Sequence, residues 1–136
     1  MTALAVDRRT PERSGDRREF SVKASTLIYA GALVAIGADD LAVPMSTATT
    51  LQGVGRAEGR VDNSTGADGD LTVSVGSGIY RYANSAAADE ITAADIGENC
   101  YGVDDQTVAL TNGTNTRSVA GKIYDVDAHG VWVDFR

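Results

Sequence analysis

The segment LTVSVGSGIYRYA, residues 71–83, carries the clearest secondary-structure signal in this chain. In LTVSV, three apolar side chains alternate with Thr72 and Ser74, which predicts a β-strand with one apolar face, because successive side chains of a strand point to opposite sides. The GSG at 76–78 interrupts the alternation and predicts a bulge or kink, followed by a second strand in IYRYA. The segment therefore predicts two strands separated by a glycine-rich break.

Similar patterns recur on both sides of this segment. Short runs rich in Val, Ile and Tyr are separated by clusters of Gly, Asn, Asp and Ser, which is typical of an all-β chain. Strands of this length and spacing predict a small β-barrel or β-sandwich. The further strands are predicted in FSVKA (20–24), LIYAGALVAI (27–36), LAVPM (41–45), CYGV (100–103), TVAL (107–110), SVAGKIYDVD (118–127) and VWVDF (131–135).

Turn residues between these runs predict how the chain reverses. The last two strands are expected to form a closing hairpin across AHG, and the Asn-Gly pair in TNGTNT (111–116) predicts another hairpin turn. LAVPM is expected at a sheet edge, because Pro44 lacks the N–H that a central strand needs. ITAADIG predicts one helical turn, with Thr92 before it and Gly97 after it as caps.

A chain of 136 residues is expected to form one β-rich domain with a core of its own. Cys100 is the only cysteine, so no disulfide can form within the chain. Its position in NCYGV, a predicted strand, indicates a buried and inert thiol. The fold is therefore expected to depend on packing and on the hydrogen bonds of its sheets.

Charge is distributed unevenly along the chain. Residues 1–23 contain six basic and four acidic side chains, whereas residues 24–136 contain six basic and fifteen acidic ones. The two parts carry net charges of +2 and −9, which together give the −7 of the whole chain. Such asymmetry usually marks an interaction tail.

The basic part begins with DRRTPERSGDRREF, residues 7–20, which has neither helical nor strand periodicity. Pro11 and Gly15 interrupt any helix and shape the path of the backbone. We therefore predict an extended N-terminal arm over residues 1–19 and a β-rich domain over residues 20–136. The arm residues expected to contact a partner are Arg8, Arg9, Pro11, Arg13, Arg17 and Arg18.

The partner of this arm is expected to be a protein. Four acids are interleaved with the arginines, and the strongly acidic remainder of the chain would repel a polyanion such as nucleic acid. A mixed-charge protein surface suits the arm better, because the guanidinium fork of arginine pairs with carboxylates bidentately. No nucleic-acid partner is therefore expected.

An export signal is a competing interpretation of the same region. RREFSVK (17–23) resembles the twin-arginine pattern, and an apolar stretch follows it. That stretch contains two glycines, ends at Asp39 and Asp40, and is equally consistent with two short strands. It is also too short to span a membrane, so no membrane association is expected.

Catalytic and metal-binding patterns are weak. His129 is the only histidine and lies in a predicted turn, and there is no G-x-S-x-G nucleophile motif. DNSTGADGD (62–70) and DVDAHG (125–130) have the oxygen-rich composition of calcium loops, but an EF-hand needs Glu at its twelfth position, where Val73 and Arg136 stand. We expect a protein without enzymatic activity, metal or cofactor.

Several blocks of the sequence resemble a family of small proteins of tailed-phage and prophage virions. The resemblance covers RTPERSGD (9–16), IYAGALV (28–34), GRAEGRVDN (55–63) and residues 78–135, and it is strongest in ANSAAADEIT, CYGVDDQTVA and GVWVDF. The family is that of capsid decoration, or head cement, proteins. The resemblance implies a β-rich, non-enzymatic protein that binds the outer capsid surface between capsomers.

The resemblance also implies partners and a location. Cement proteins often form trimers at threefold points of the lattice and commonly use an extended arm to bridge neighbouring capsid subunits. The expected partners are the major capsid protein and further copies of this chain, with a trimer favoured, on the outer surface of a virion assembled in the host cytoplasm. A competing arrangement is that the arm contacts only an adjacent copy.

An alternative from another class is an exported or surface β-sandwich that binds a glycan or a protein ligand. Such a module needs exposed aromatic side chains on one face, although core or interface packing also accounts for aromatic residues of this kind. The candidates are Tyr80, Tyr82, Tyr101, Tyr124 and Trp132.

Overall fold

The computed structural model describes residues 2–136 and confirms the all-β prediction, with 41% of the chain in strands and 4% in helix. Two single 3₁₀ turns, Ala87–Asp89 and Ala93–Asp95, account for the helical part. The strands are β1 (Arg17–Ser21), β2 (Thr26–Ile28), β3 (Leu33–Ile36), β4 (Ala42–Pro44), β5 (Gln52–Ala57), β6 (Val61–Asn63), β7 (Thr72–Gly76), β8 (Ile79–Tyr82), β9 (Asn99–Gly102), β10 (Val108–Ala109), β11 (Val119–Asp127) and β12 (Gly130–Asp134).

The strands form three antiparallel sheets. The first has the order β1-β7-β5-β3-β4, the second β10-β9-β11-β12-β8, and the third pairs β2 with β6. The first sheet curls until Val22, just beyond β1, forms a single bridge with Ala42 of the opposite edge strand. None of the sheets closes into a barrel, and the arrangement is compatible with a sandwich.

Two hydrophobic cores lie on opposite faces of the first sheet. Leu33 and Ala35 pack against the second sheet, whereas Val34 belongs to a separate cluster with Ile28 of β2. Because side chains alternate across a strand, a strand with both faces buried becomes apolar at every position. This explains the unbroken apolar run LVAI in β3, where three of the four residues are fully buried.

The segment 71–83 connects the first and second sheets. Its first half is β7, in which Val73 and Val75 are buried, and its second half is β8 at the edge of the second sheet. The predicted kink at GSG is therefore confirmed, and it is the point where the chain passes from one sheet to the other. A Cβ atom at Gly76 would meet the side-chain ends of Tyr80 and Glu58, both of which would have to shift.

Two sequence-based predictions of strand arrangement are wrong. LIYAGALVAI is not one strand, since a turn at 29–32 separates β2 from β3 and places Gly31 at a φ of 85°. That value lies in the left-handed region that glycine adopts at little cost. TNGTNT is not a hairpin turn either, because it connects β10 to β11, and β9 lies between those two strands in the sheet.

Other local predictions are confirmed. LAVPM contains β4, the edge strand of the first sheet, and the closing hairpin of β11 and β12 pairs Asp127 with Gly130. The backbone N–H of Thr92 donates to the carboxylate of Asp95 at 2.8 Å, which caps the second 3₁₀ turn. Within residues 2–136, no helix has the length and hydrophobicity required to cross a membrane.

Candidate functional site

The candidate site is the N-terminal arm together with the part of the body to which it is attached. Residues 2–14 form neither strand nor helix, and every one of them is exposed. Arg8, Arg9, Pro11 and Arg13 lie within this stretch, as the sequence predicted. No ion pair in the described part of the chain involves any of these three arginines.

The tip of the arm carries exposed apolar side chains in addition to the arginines further along it. Leu4 is 74% exposed and Val6 is 79% exposed, which makes them the most exposed large hydrophobic residues described. The signal was present in the sequence TALAV, which contains no charge.

The other two predicted arginines, Arg17 and Arg18, belong to the body. They open β1, which therefore begins at Arg17 rather than at the predicted Phe20. Both pair with β7, Arg17 opposite Gly76 and Arg18 opposite Val75. The sequence concealed this start, because an arginine counts as polar although its aliphatic stem packs well on a sheet.

Ser77 fixes the root of the arm to the body. This residue is only 4% exposed and lies where the chain passes between the two large sheets. Its hydroxyl donates to the carbonyl oxygen of Gly15 at 2.6 Å, and its N–H donates to the carbonyl oxygen of Asp16 at 3.1 Å. The arm therefore leaves the body at a defined position. Sequence reasoning missed this role, because it treated GSG only as a break between strands.

A hydrogen bond between the side chains of Ser14 and Asp16 lies next to this anchor. The hydroxyl of Ser14 donates to a carboxylate oxygen of Asp16 at 2.8 Å. This hydrogen bond is the main cause that lowers the pKa of Asp16 below its usual value. This contact spans the bend of the backbone at the arm root, whose side chains remain exposed.

Arg17 takes part in a cluster of charges beside the anchor. Its guanidinium lies 3.5 Å from the carboxylate of Glu58, which also accepts from Arg56 at 2.9 Å. The guanidinium of Arg56 in turn lies 4.1 Å from the centroid of the Tyr80 ring. The hydrogen bond from Arg56 to Glu58 is the main cause that raises the pKa of Arg56. This network fixes the side chains around the start of β1.

Arg18 is partly buried against the first sheet. One of its terminal nitrogens donates to the carbonyl oxygen of Val54 at 3.1 Å, and its guanidinium lies 5.3 Å from the centroid of the Phe20 ring. Its Nε atom is buried and has no hydrogen-bond partner within residues 2–136. Buried donors are normally paired, so this atom calls for an explanation.

The aromatic side chains named for the alternative function divide between core and surface. Tyr82 is buried, its hydroxyl donates to the carbonyl oxygen of Gly31 at 3.0 Å, and burial raises its pKa.

Trp132 is partly buried beside Arg81, and its indole N–H donates to Asp127 at 2.8 Å. Tyr124 lies in a β-bulge of β11 and is 53% exposed. Tyr80 and Tyr101 are partly buried.

The residues considered for catalysis or metal binding lie apart from the arm. Cys100 is fully buried, and burial raises the pKa of its thiol to about 12, so it stays protonated at neutral pH. His129 is exposed in the turn between β11 and β12. Within residues 2–136, no three His, Cys, Asp or Glu side chains lie close enough together to hold a metal ion.

No protein-family model, curated protein or solved structure matches this chain.

Proposed function

We propose that this protein is a structural component of a tailed-phage or prophage virion. It binds the outer surface of the capsid and cements neighbouring capsid subunits, which stabilises the head. The resemblance of residues 9–16, 28–34, 55–63 and 78–135 to capsid decoration proteins supports this role. The observation that carries the proposal is an exposed arm, residues 2–14, that is anchored by hydrogen bonds at its root to a well-packed β-sandwich.

The arginines of the arm suit attachment to a protein surface. Arg8, Arg9 and Arg13 form no ion pair with any described residue, so their guanidinium groups are available to carboxylates of a partner. Bidentate pairs of this kind are stronger than ordinary hydrogen bonds and restrict the orientation of the partner. Pro11 reduces the number of conformations that the free arm must lose on binding.

Leu4 and Val6 add an apolar contact at the tip of the arm. Burial of these two exposed side chains would contribute roughly 25 cal/mol for each Å² removed from water. Such a gain offsets part of the entropy lost when the arm becomes ordered. Available arginines nearer the body and apolar residues at the tip together suit an extended arm that reaches from one subunit to the next.

The partners in this proposal are the major capsid protein and other copies of the chain, with a trimer favoured. Repetition over the capsid lattice adds avidity to a modest contact at each position. The protein would be made in the host cytoplasm and reside on the outer capsid surface. This role needs contact area and no catalysis, cofactor, nucleic acid or membrane.

Deletion of residues 2–14 tests the proposal. This deletion preserves Gly15, Asp16 and all of β1, so the sandwich keeps its anchor and its edge strand. We expect the truncated protein to bind capsids that lack it at least about tenfold more weakly than the full chain, a difference of about 1.4 kcal/mol. Co-sedimentation with capsids of the phage that encodes the protein measures this change.

The control replaces residues 2–14 with Gly and Ser residues of the same number. It keeps the length of the arm and removes its arginines and apolar side chains, so its capsid binding should fall as far as that of the deletion. Unchanged saturation of capsids by the deletion variant would refute the role of the arm. A copy number on intact virions that is unrelated to the major capsid protein would refute the cement role itself.

The second candidate is a surface-binding module of the kind considered above. The exposed ring of Tyr124 and the half-buried ring of Trp132 favour it, since aromatic faces are common in glycan sites. Substitution of both by alanine would abolish glycan binding in such a module and leave capsid binding intact. The arm deletion has the opposite expected outcome, so the two experiments separate the candidates.

A further inference from the structure

The root of the arm and the body together enclose a cleft rich in arginine. The cleft is open and has a volume of about 260 Å³, which is enough for a carboxylate group and several water molecules at about 30 Å³ each. Its walls come from the arm root, from β1, from the passage between the large sheets and from the residues after β12. The lining residues are Arg13, Ser14, Gly15, Arg18, Ser77, Phe135 and Arg136.

Three arginines around one cleft are unexpected in a chain with a net charge of −7. Like charges at short range repel one another, and an anion between them converts that repulsion into attraction. Arg18 reaches this cleft only through the end of its guanidinium, because its Nε atom is buried away from solvent. One terminal nitrogen donates to the carbonyl oxygen of Val54 at 3.1 Å, and the other forms no hydrogen bond within residues 2–136 and is not buried.

Nearby acids neutralise only part of the cleft. Asp134 accepts from Arg136 through both carboxylate oxygens at 3.1 Å, and Asp16 accepts from the hydroxyl of Ser14 at 2.8 Å. Arg13 forms no ion pair with a described residue, and the guanidinium of Arg18 contacts a backbone carbonyl and the ring of Phe20. Arg13 and Arg18 therefore leave positive charge that no acid of the described chain compensates.

We infer that this cleft is a carboxylate-binding site, and that its occupant is an aspartate or glutamate side chain of the protein to which the arm attaches. The planar guanidinium of arginine matches a carboxylate geometrically, and pairs of this kind are frequently bidentate. A single carboxylate can enter the cleft. An extended polyanion would instead be repelled by the acidic body, which carries a net charge of −9 over residues 24–136. The identity of the occupant rests on the proposed function, whereas the site itself does not.

Occupancy of the cleft would also order the arm. Arg13, Ser14 and Gly15 belong to the arm root, and Arg18, Ser77 and Arg136 belong to the body. A carboxylate bound between them contacts both parts at once and holds the root in one position. The rest of the arm, residues 2–12, then starts from a fixed point, which reduces the entropy lost when it attaches.

An NMR titration of the full chain with sodium acetate, at constant ionic strength, tests the site. We expect the Nε–Hε signal of Arg18 to shift along a saturable curve, and the backbone amides of Ser14 and Gly15 to follow the same curve. Arg60 is the internal control, because it lies outside the cleft, 5.6 Å from the centroid of the Tyr29 ring. Absence of saturation at Arg18, or an identical curve at Arg60, would overturn the inference.

Two variants and a second probe complete this test. Arg18→Lys should weaken acetate binding at least about tenfold, because an ammonium cannot form the bidentate pair. Arg13→Gln should also weaken it, and since Arg13 is exposed in the arm, this variant leaves the sandwich intact if Arg18→Lys does not fold. Acetate curves that both variants leave unchanged would overturn the site. Saturable shifts with inorganic phosphate but none with acetate would overturn its assignment to carboxylates.

The titration contains no capsid, so its outcome is independent of the proposed function. A protein that binds capsids through its arm but does not bind acetate would refute the cleft and keep the cement role. A protein that binds acetate at Arg18 but no capsid would refute the cement role and keep the anion site.

Discussion

The strand β3 and the N-terminal arm are opposite extremes within one chain. In β3, Leu33, Val34 and Ala35 are fully buried, because alternate side chains enter two different cores. In the arm, every residue from 2 to 14 is exposed, and Leu4 retains most of its surface in water. Stability therefore resides in the sandwich, whereas the arm keeps its side chains available for another surface. Substitutions in the arm should therefore leave the stability of the sandwich unchanged, and substitutions in β3 should leave the side chains of the arm available.

The largest effect on stability is expected from a Leu→Ala substitution in β3, and the same substitution in the arm is its comparison. Leu33→Ala removes a fully buried side chain between the two large sheets and should lower the free energy of unfolding by about 2–5 kcal/mol. Leu4→Ala in the exposed arm should change it by less than about 0.5 kcal/mol. Urea unfolding of the two variants measures both values. Equal effects would mean that the arm packs on the body in solution.

The next effect concerns the close approach of the two large sheets at Gly53. A Cβ atom at this position would collide with the backbone of Ala120 in β11, which cannot move aside like a flexible side chain. Gly53→Ala should therefore destabilise the protein by about 1–3 kcal/mol.

Gly59→Ala is the matched control, since no atom lies within 4 Å of the corresponding Cβ position. Thermal unfolding of both variants provides the measurement. A Gly53→Ala variant as stable as Gly59→Ala would mean that the sheets are further apart than described.

A smaller effect is expected at the anchor that joins the two regions. Ser77→Ala removes the hydrogen bond to the carbonyl oxygen of Gly15 and should lower the free energy of unfolding by about 1 kcal/mol. The amide of Gly15 should also become more mobile in ¹⁵N relaxation measurements, because only the bond from the N–H of Ser77 to Asp16 remains. Ser74→Ala, on β7, should leave the relaxation of Gly15 unaltered. Unchanged mobility of Gly15 in Ser77→Ala would show that the hydroxyl does not hold the arm.

The smallest effect concerns the pH dependence of the body, at the turn between β11 and β12. Asp127 accepts from the indole N–H of Trp132 at 2.8 Å and from the N–H of His129 at 2.7 Å, and the first of these is the main cause that lowers its pKa below 3.8. A carboxyl whose pKa is lower in the folded state stabilises the fold above its ordinary pKa. This contribution is lost as the pH falls through the lowered value.

The fluorescence of Trp132, the only tryptophan, should report this protonation with a midpoint below pH 3.8. Asp127→Asn should abolish the transition, whereas Asp125→Asn should preserve it. A midpoint at or above 3.8 in the folded protein would contradict the hydrogen bond between Asp127 and Trp132.

Features that depend on neighbouring residues in the chain could be predicted from the sequence. The alternation in LTVSV identified β7, the short connection AHG identified the hairpin of β11 and β12, and Thr92 identified a capped turn. Arg8, Arg9 and Arg13 were expected outside the core and are exposed, because a charged segment interrupted by Pro11 cannot form a core. In each case the physical cause lies within a few residues of the pattern.

Features that depend on distant strands could not be predicted in this way. The turn at Gly31 lies in an apolar run that looked continuous, and the loop TNGTNT looked like a hairpin until β9 was found between β10 and β11. Arg17 and Arg18 joined β1 because β7 offers them a partner strand. The anchoring role of Ser77 also depends on residues far from it in the chain.

The sequence by itself determined that this is an all-β protein with an acidic body and an exposed, arginine-bearing arm, because composition and local alternation control which segments can be buried. Only the tertiary structure decided that β3 contributes to two cores, that the arm ends before Arg17, and that Arg13, Arg18 and Arg136 line one cleft. Strand pairing joins residues that are remote in sequence, and a single-sequence pattern contains no information about which of the possible partners gives the best packing.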